Sequence, residues 1–142
     1  MSLKTALDIS VSAIEAERLR MEVISSNIAN INTTRSLTGG PYQRLSVLFS
    51  EKSFSEILSE ESSLIEKKLG GVAVDVVKDK SPFKTVYNPS HPDADEKGFV
   101  KMPNVNLATE MVDLTEASRM FEAQITAYNT TKKMMQDLMQ LP

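Results

Sequence analysis

Residues 106–141 read NLATEMVDLTEASRMFEAQITAYNTTKKMMQDLMQL, and this stretch decides the fold. It contains neither Gly nor Pro, the two residues that most strongly oppose the interior of an α-helix. Asn106 is a suitable N-cap, and Glu110 falls in the first turn, where negative charge suits the helix dipole. The apolar side chains follow the 4-3 spacing of a coiled coil, so the sequence predicts one long amphipathic helix. One predicted seam contains Leu107, Leu114, Phe121, Tyr128 and Met135, and the other contains Met111, Ser118, Ile125, Lys132 and Met139.

Residues 2–30 have the same character at the other end of the chain, with no Gly and no Pro. One seam recurs every seven residues through Leu7, Ile14, Met21 and Ile28, and the alternate seam contains Leu3, Ser10, Glu17, Ile24 and Ile31. A helix with one narrow apolar stripe cannot bury that stripe alone. We therefore predict that the two terminal helices pack as a coiled-coil-like pair, and on other subunits wherever stripe is left over. An intramolecular helix pair that covers a small sheet remains open as the alternative.

The middle of the chain is different, because all five glycines and five of the six prolines lie between residues 39 and 103. Residues 71–77 alternate as a strand, residues 79–82 read as a turn, and residues 83–87 are the predicted return strand. Residues 99–102 are a possible third strand, and residues 88–98 are the surface loop before it. Residues 53–56 have capping-box spacing, which predicts a short helix that ends near residues 70–71.

The predicted fold class is therefore α+β, with long terminal helices and a small central antiparallel β region. Residues 1–35 and 104–142 form the predicted helical assembly domain, which is discontinuous in sequence. Residues 36–103 form the predicted central region. The assembly interface is predicted to contain Leu3, Leu7, Ile14, Met21, Ile24, Ile28, Leu107, Met111, Leu114, Phe121, Ile125, Tyr128 and Met135.

Composition excludes several classes of protein. The chain has 142 residues, a net charge of −3 and no Cys, so disulfides, thiolate nucleophiles and Cys-ligated zinc are impossible. A mildly acidic chain with mixed charges offers no broad basic surface, so we expect no nucleic-acid partner. No stretch reaches the roughly 18 apolar residues of a membrane-spanning helix. We also expect no cleaved secretory signal, because no long apolar run follows Met1.

The residues that could carry chemistry are few. His91 is the single histidine, and no G-x-S-x-G elbow presents a serine to it. His91, Asp93 and Asp95 could gather around a divalent metal, although a polar turn has the same composition. Residues 93–98 resemble the start of an EF-hand loop, but Asn104 stands where the bidentate Glu is required. We predict no catalytic residue, no metal, no cofactor and no small-molecule substrate, and keep a small hydrolase using the loop carboxylates as an alternative.

A family resemblance begins at SSNIANINTTR, residues 25–35, which resembles the asparagine-rich motif near the N-terminus of bacterial flagellar rod, hook and related axial proteins. Further matching segments are GGPYQR at 39–44, YNPSHPDAD at 87–95, GFVKMPNVN at 98–106 and EMVD at 110–113. Thr34, Arg35 and Ser36 replace the usual Pro-Gly-Tyr, which favours the proximal rod subtype of the flagellar basal-body rod family over hook or distal rod. The motif residues are Asn27, Asn30, Asn32, Thr33, Gly39, Gly40, Pro41, Tyr42, His91, Pro92, Asp93, Asp95, Gly98, Pro103, Asn104 and Asn106.

The resemblance implies a structural subunit that polymerises through its terminal helices into the torque-transmitting axial shaft. The implied partners are copies of itself, other flagellar rod proteins and the flagellar type III export apparatus. The implied location is the basal body, reached by export to the periplasmic space without a cleaved signal peptide. It also implies that Asn27, Asn30 and Asn32 satisfy backbone or neighbouring-subunit hydrogen bonds, and that residues 91–98 are a structural or subunit-contact element. A cytoplasmic helical adaptor or export chaperone is the alternative function.

Overall fold

The computed structural model describes residues 3–36, 39–51 and 72–140. Its elements are α1 (Leu3–Ala29), β1 (Leu45–Glu51), β2 (Val72–Lys78), β3 (Lys84–Tyr87), β4 (Phe99–Met102) and α2 (Leu107–Met139). The prediction of an α+β fold with long terminal helices and a small central β region is confirmed. The short helix predicted from residue 53 lies outside the described residues. Among the described helices, none is both long enough and apolar enough to cross a membrane.

Both helices are closed by asparagine side chains at the ends that face the central region. Asn106 caps α2, because its Oδ1 accepts the backbone N–H of Ala108 at 3.1 Å. At the other junction, Nδ2 of Asn30 donates to the carbonyl of Ser26 at 2.9 Å, just after the last residue of α1. Asn106 thus satisfies a backbone N–H that the start of a helix leaves without an intrahelical partner, whereas the Ser26 carbonyl also accepts the backbone N–H of Asn30 at 3.1 Å. Asparagine side chains therefore mark the end of α1 and the start of α2.

The described strands form two two-stranded sheets, and one predicted pairing is wrong. β3 pairs antiparallel with β4, from Lys84 opposite Met102 to Tyr87 opposite Phe99, which confirms the predicted strand at 99–102. β2 pairs with β1 and not with β3. After β2, the Asp79 carboxylate accepts both the N–H and the hydroxyl of Ser81. The N–H of Asp79 bonds the carbonyl of Arg44 at 2.8 Å, which joins the end of β2 to the residue before β1.

The chain divides into two units, each with parts of both terminal helices. One unit contains residues 1–19, 48–75 and 117–142, and its buried described residues are Ala16, Glu17 and Ala117. The second unit contains residues 20–47 and 76–116. Its buried residues are Val23, Ile24, Asn27, Gly98, Val100, Pro103, Val105 and Glu110. The predicted split into a helical assembly domain (1–35 with 104–142) and a central region (36–103) stays a prediction.

The protected stripe of α2 differs in one seam from the predicted stripe. Leu114, Phe121, Tyr128 and Met135 are half-buried, as a heptad seam requires. The alternate seam of lower exposure contains Glu110, Ala117, Gln124 and Thr131, one position before the predicted seam. Hydrophobicity could not identify it, because three of its four residues are polar. Met111, Lys132 and Met139 of the predicted seam are exposed, whereas Ser118 and Ile125 are half-buried.

Candidate functional site: the helix junction

The second unit is organised by Asn27, a fully buried side chain near the end of α1. Its Nδ2 donates to the carbonyl of Leu45 at 2.8 Å and to Oε2 of Glu110 at 3.0 Å. Its Oδ1 accepts the Leu45 N–H at 2.9 Å and the Tyr42 hydroxyl at 3.0 Å. Both donors and both acceptor positions of the amide are therefore used. One side chain joins the end of α1 to the start of β1 and to the first turn of α2.

Glu110 is the acidic counterpart of Asn27, and its side chain is also fully buried. Its Oε1 accepts Nε of Arg44 at 2.6 Å, while its Oε2 accepts the Asn27 amide. The Arg44 guanidinium further donates to Oγ of Ser46 at 2.8 Å and lies 3.5 Å from Oδ2 of Asp113. A buried carboxylate is tolerated only when it is paired and hydrogen-bonded, and both oxygens of Glu110 meet this condition.

Asn104 extends the network to the turn after β2. Its Oδ1 accepts the backbone N–H of Arg44 at 2.8 Å, and its Nδ2 donates to the carbonyls of Asp79 and Ser81. We call Asn27, Tyr42, Arg44, Asn104 and Glu110 the junction network. It contains three residues of the predicted motif, together with Arg44 and Glu110, and it connects both helices to β1 and to residues 79–81.

Within the second unit, α1 and α2 run antiparallel. Asn27 contacts Glu110 at 3.0 Å, and Arg20, about two turns earlier on α1, lies 4.0 Å from Glu116 on α2. The Glu116 side chain is 63% exposed, so that ion pair contributes little to stability. The buried Asn27–Glu110 contact is the strong one, because its donor and acceptor are both removed from water.

The loop between β3 and β4 is tied to the segment after α1 through Asp93. The Thr34 hydroxyl donates to Oδ2 of Asp93 at 2.8 Å, and the Arg35 guanidinium pairs with Oδ1. The Thr34 hydrogen bond, with help from Arg35, holds the pKa of the Asp93 carboxyl below its ordinary value of 3.8. Nδ1 of His91 accepts the Asp93 N–H at 3.1 Å. The loop residues that suggested metal or hydrolase chemistry are thus engaged in contacts that shape the loop.

Asp95 and Gly98 close the same loop. Oδ1 of Asp95 accepts the backbone N–H groups of Lys97 and Phe99 at 3.0 and 2.9 Å. Gly98 has φ of +79°, and a Cβ at this position would lie 2.9 Å from Cε2 of Tyr87. Glycine is required here for backbone conformation and for space. Gly39 and Gly40 also have positive φ, but no atom lies within 4 Å of a Cβ built on either residue.

The predicted interface residues with described side chains fall into three groups by exposure. In the first turns of α2, Leu107 is 45% exposed and Met111 57%, and the neighbouring Val112 is 66% exposed. Ile24 is buried in the described structure. The other predicted residues with described side chains are half-buried: Leu7, Ile14, Met21, Ile28, Leu114, Phe121, Ile125, Tyr128 and Met135. The side chain of Leu3 lies outside the described residues. The role of all these residues in assembly stays a prediction.

Comparison with known proteins identifies the family to which this geometry belongs. Residues 7–35 match the model of the flagella basal body rod protein family, and residues 96–141 match that of the flagellar basal body rod FlgEFG protein C-terminal region. The flagellar basal-body rod protein FlgC of Borreliella burgdorferi is 41% identical, over 94% of this chain and 93% of its own length. The chain belongs to the FlgC family of flagellar basal-body rod proteins. FlgC of Bacillus subtilis is 42% identical over 96% of this chain and 95% of its own length, and FlgC of Escherichia coli O6:H1 is 38% identical over 95% and 94%.

FlgC family membership confirms the predicted rod family and makes the chain a structural subunit of the flagellar rod, not an enzyme. The hydrolase alternative is therefore set aside. Membership also implies that the chain assembles with copies of itself and with other rod components in the flagellar basal body. Arg44 and Glu110 lie in the matching segments GGPYQR and EMVD, but the sequence did not identify them as central residues of a buried network. Membership of those segments was the available signal, because the seam that Glu110 shares with Ala117, Gln124 and Thr131 is apparent only from burial.

Proposed function

We propose that this rod subunit occupies the proximal part of the rod, where copies polymerise through α1 and α2 and transmit motor torque. The proposal requires neither nucleic acid nor a small-molecule substrate. Its first support is the junction network, in which buried, mutually satisfied side chains join the end of α1 to the start of α2. A subunit that transmits torque needs a rigid joint, and a fully satisfied buried polar network rigidifies a core.

The observation that carries the proposal is the apolar surface on the first turns of α2. Leu107, Met111 and Val112 are 45%, 57% and 66% exposed, although Glu110 among them is fully buried. Scattered exposed apolar residues are ordinary, but a contiguous group on one helix marks an interaction surface. Because the junction network holds the adjacent side of α2, this group is presented in a fixed orientation. It is a suitable contact for the neighbouring subunit in the rod.

Substitution at Met111 tests this role without disturbing the fold. Met111→Asp introduces a charge at an exposed helix position, so it should cost less than about 1 kcal/mol of monomer stability. In the rod the same charge would be buried without a partner, which should prevent assembly. We expect a strain with Met111→Asp to lose swimming and to lack the subunit in purified basal bodies. The control, Met111→Leu, keeps the apolar surface and should swim normally. Normal incorporation of Met111→Asp would contradict the assignment of this surface.

We further propose that the subunit reaches the periplasmic space through the flagellar type III export apparatus, without removal of an N-terminal segment. The support is the family, together with the absence of Cys, which leaves an exported chain unaffected by oxidation to disulfides. Mass spectrometry of the N-terminal peptide from basal bodies provides the test. The expected peptide begins at Met1 or Ser2. A peptide that begins further along the chain would contradict export without cleavage.

A further inference from the structure

The apolar stripes of the two helices do not by themselves define how α1 and α2 align. Leu7, Ile14, Met21 and Ile28 repeat every seven residues, and so does the seam of α2 that begins at Leu107. Sliding one helix past the other by seven residues would therefore bring similar apolar side chains together again. Such a slide is a displacement of about 10 Å, since each helical residue rises about 1.5 Å. Hydrophobic contact alone therefore gives the alignments that differ by seven residues nearly equal free energies.

The polar positions in the same stripe are not repeated. Seven and fourteen residues after Glu110, α2 has Ala117 and Gln124, and seven residues before Asn27, α1 has Arg20. Among alignments that differ by seven or fourteen residues in this direction, only the observed one places a carboxylate beside the Asn27 amide and the Arg44 guanidinium. In a slipped alignment, Ala117 would face Asn27 and Arg44. The Asn27 donor that is now paired at 3.0 Å would be buried without that acceptor, and Nε of Arg44 would lose its carboxylate partner at 2.6 Å.

We propose that Glu110 is the positioning residue that sets the antiparallel alignment of α1 and α2 in the second unit, by accepting Asn27 with one oxygen and Arg44 with the other. A single buried polar group is known to select one register among apolar alternatives. The two donors come from different elements, α1 and the residue just before β1, so Glu110 aligns α2 against both together. The consequence for rod assembly rests on the proposed function, whereas the alignment itself belongs to the single subunit.

Distance measurement between two spin labels on the full chain tests the proposal. The chain has no Cys, so Ala29→Cys and Thr115→Cys, both at exposed positions of the second unit, provide the only labelling sites. With the native network we expect one narrow distance distribution. The test variant combines Arg44→Met with Glu110→Leu, which removes both charges together and avoids leaving one of them buried and unpaired. It should keep its helical circular dichroism and show a second population displaced by up to about 10 Å.

A label pair within one helix is the matched control. Ala108→Cys with Ala123→Cys lies entirely on α2, so its distance should not respond to a slide between helices. If the double variant loses its helical signal, Glu110→Gln provides the test of the alignment. It keeps the size of the side chain but has only one accepting oxygen. It should broaden the distribution between the helices and leave the α2 control unchanged. An unchanged narrow distribution in a folded variant would overturn the proposal, and so would a broad distribution in the unsubstituted network.

Swimming separates this proposal from the proposed function. A folded double variant with a shifted distance and lost swimming supports both. A shifted distance with normal swimming would support Glu110 as the positioning residue and contradict polymerisation through the aligned helices. An unshifted distance would overturn the role of Glu110 whether or not the strain swims.

Discussion

Gly98→Ala should destabilise the subunit by about 2–3 kcal/mol, in two parts of different origin. The first part is conformational, because φ of +79° costs a residue with a Cβ about 1–2 kcal/mol. The second part is steric, because the added Cβ would lie 2.9 Å from Cε2 of Tyr87 and 3.2 Å from Cβ of Pro89. Tyr87 is 65% exposed, so its ring can move, but movement disturbs its edge-to-face contact with Phe99 at 5.3 Å. That contact adds about 1 kcal/mol.

Gly40→Ala is the matched control, because Gly40 has the same φ of +79° but, among the residues that the structure describes, no atom within 4 Å of an added Cβ. It should cost only the conformational part, about 1–2 kcal/mol. Urea unfolding followed by circular dichroism measures both values. Repeating Gly98→Ala in a Tyr87→Ala background should lower its cost toward that of Gly40→Ala, because the ring is gone and only the 3.2 Å approach to Cβ of Pro89 remains. Equal costs for Gly98→Ala and Gly40→Ala in the unsubstituted chain would refute the steric part of the reasoning.

Two further predictions concern charged groups. Arg44→Met should lower the free energy of unfolding in urea by about 3–5 kcal/mol, because it leaves the buried Glu110 carboxylate without its cation. Combining Arg44→Met with Glu110→Leu should recover most of that loss. If the effects of the two substitutions were additive, the two residues would not be coupled. The lowered pKa of Asp93 stabilises the folded state above pH 3.8, and this contribution is lost as the pH falls through the lower folded-state value. The protection factors of the β3–β4 loop amides, which are hydrogen-exchange rates corrected for the intrinsic rate at each pH, should therefore fall on acidification with Asp93 present. Asp93→Asn should remove that part of the pH dependence; identical profiles of protection against pH would exclude it.

The long helices could be predicted from the sequence because their information is local. Each signal acts within one element: the absence of Gly and Pro, the heptad spacing and the N-cap at Asn106. The cap is present in the structure, where Oδ1 of Asn106 accepts the Ala108 N–H at 3.1 Å. Pairing of β2 with β1 could not be derived in the same way. It involves residues that are distant in sequence, such as Asp79, whose backbone N–H bonds the carbonyl of Arg44, a residue 35 positions earlier.

The junction network was predictable only in part, for a related reason. Asn27, Tyr42 and Asn104 stood out in the family motif, but motif membership says nothing about which side chains meet. In the sequence, Glu110 is explained as an acidic residue in the first turn of α2, where it would be expected to be exposed. The structure shows that it is fully buried. The burial of Glu110 could be predicted only by knowing that Asn27 of α1 and Arg44 before β1 both contact its side chain. Local patterns establish elements, whereas a buried charge is explained only by the residues that surround it.

The contact between Asn27 and Glu110 also constrains the order in which the subunit can fold. These residues are 83 positions apart, and closing a loop of that length costs about 4 kcal/mol of chain entropy. A chain that emerges from its amino end presents Asn27 early, yet that amide lacks one of its acceptors until another 83 residues have followed. The junction network therefore forms late in folding. A truncated chain that ends before residue 110 lacks Glu110 and cannot form it.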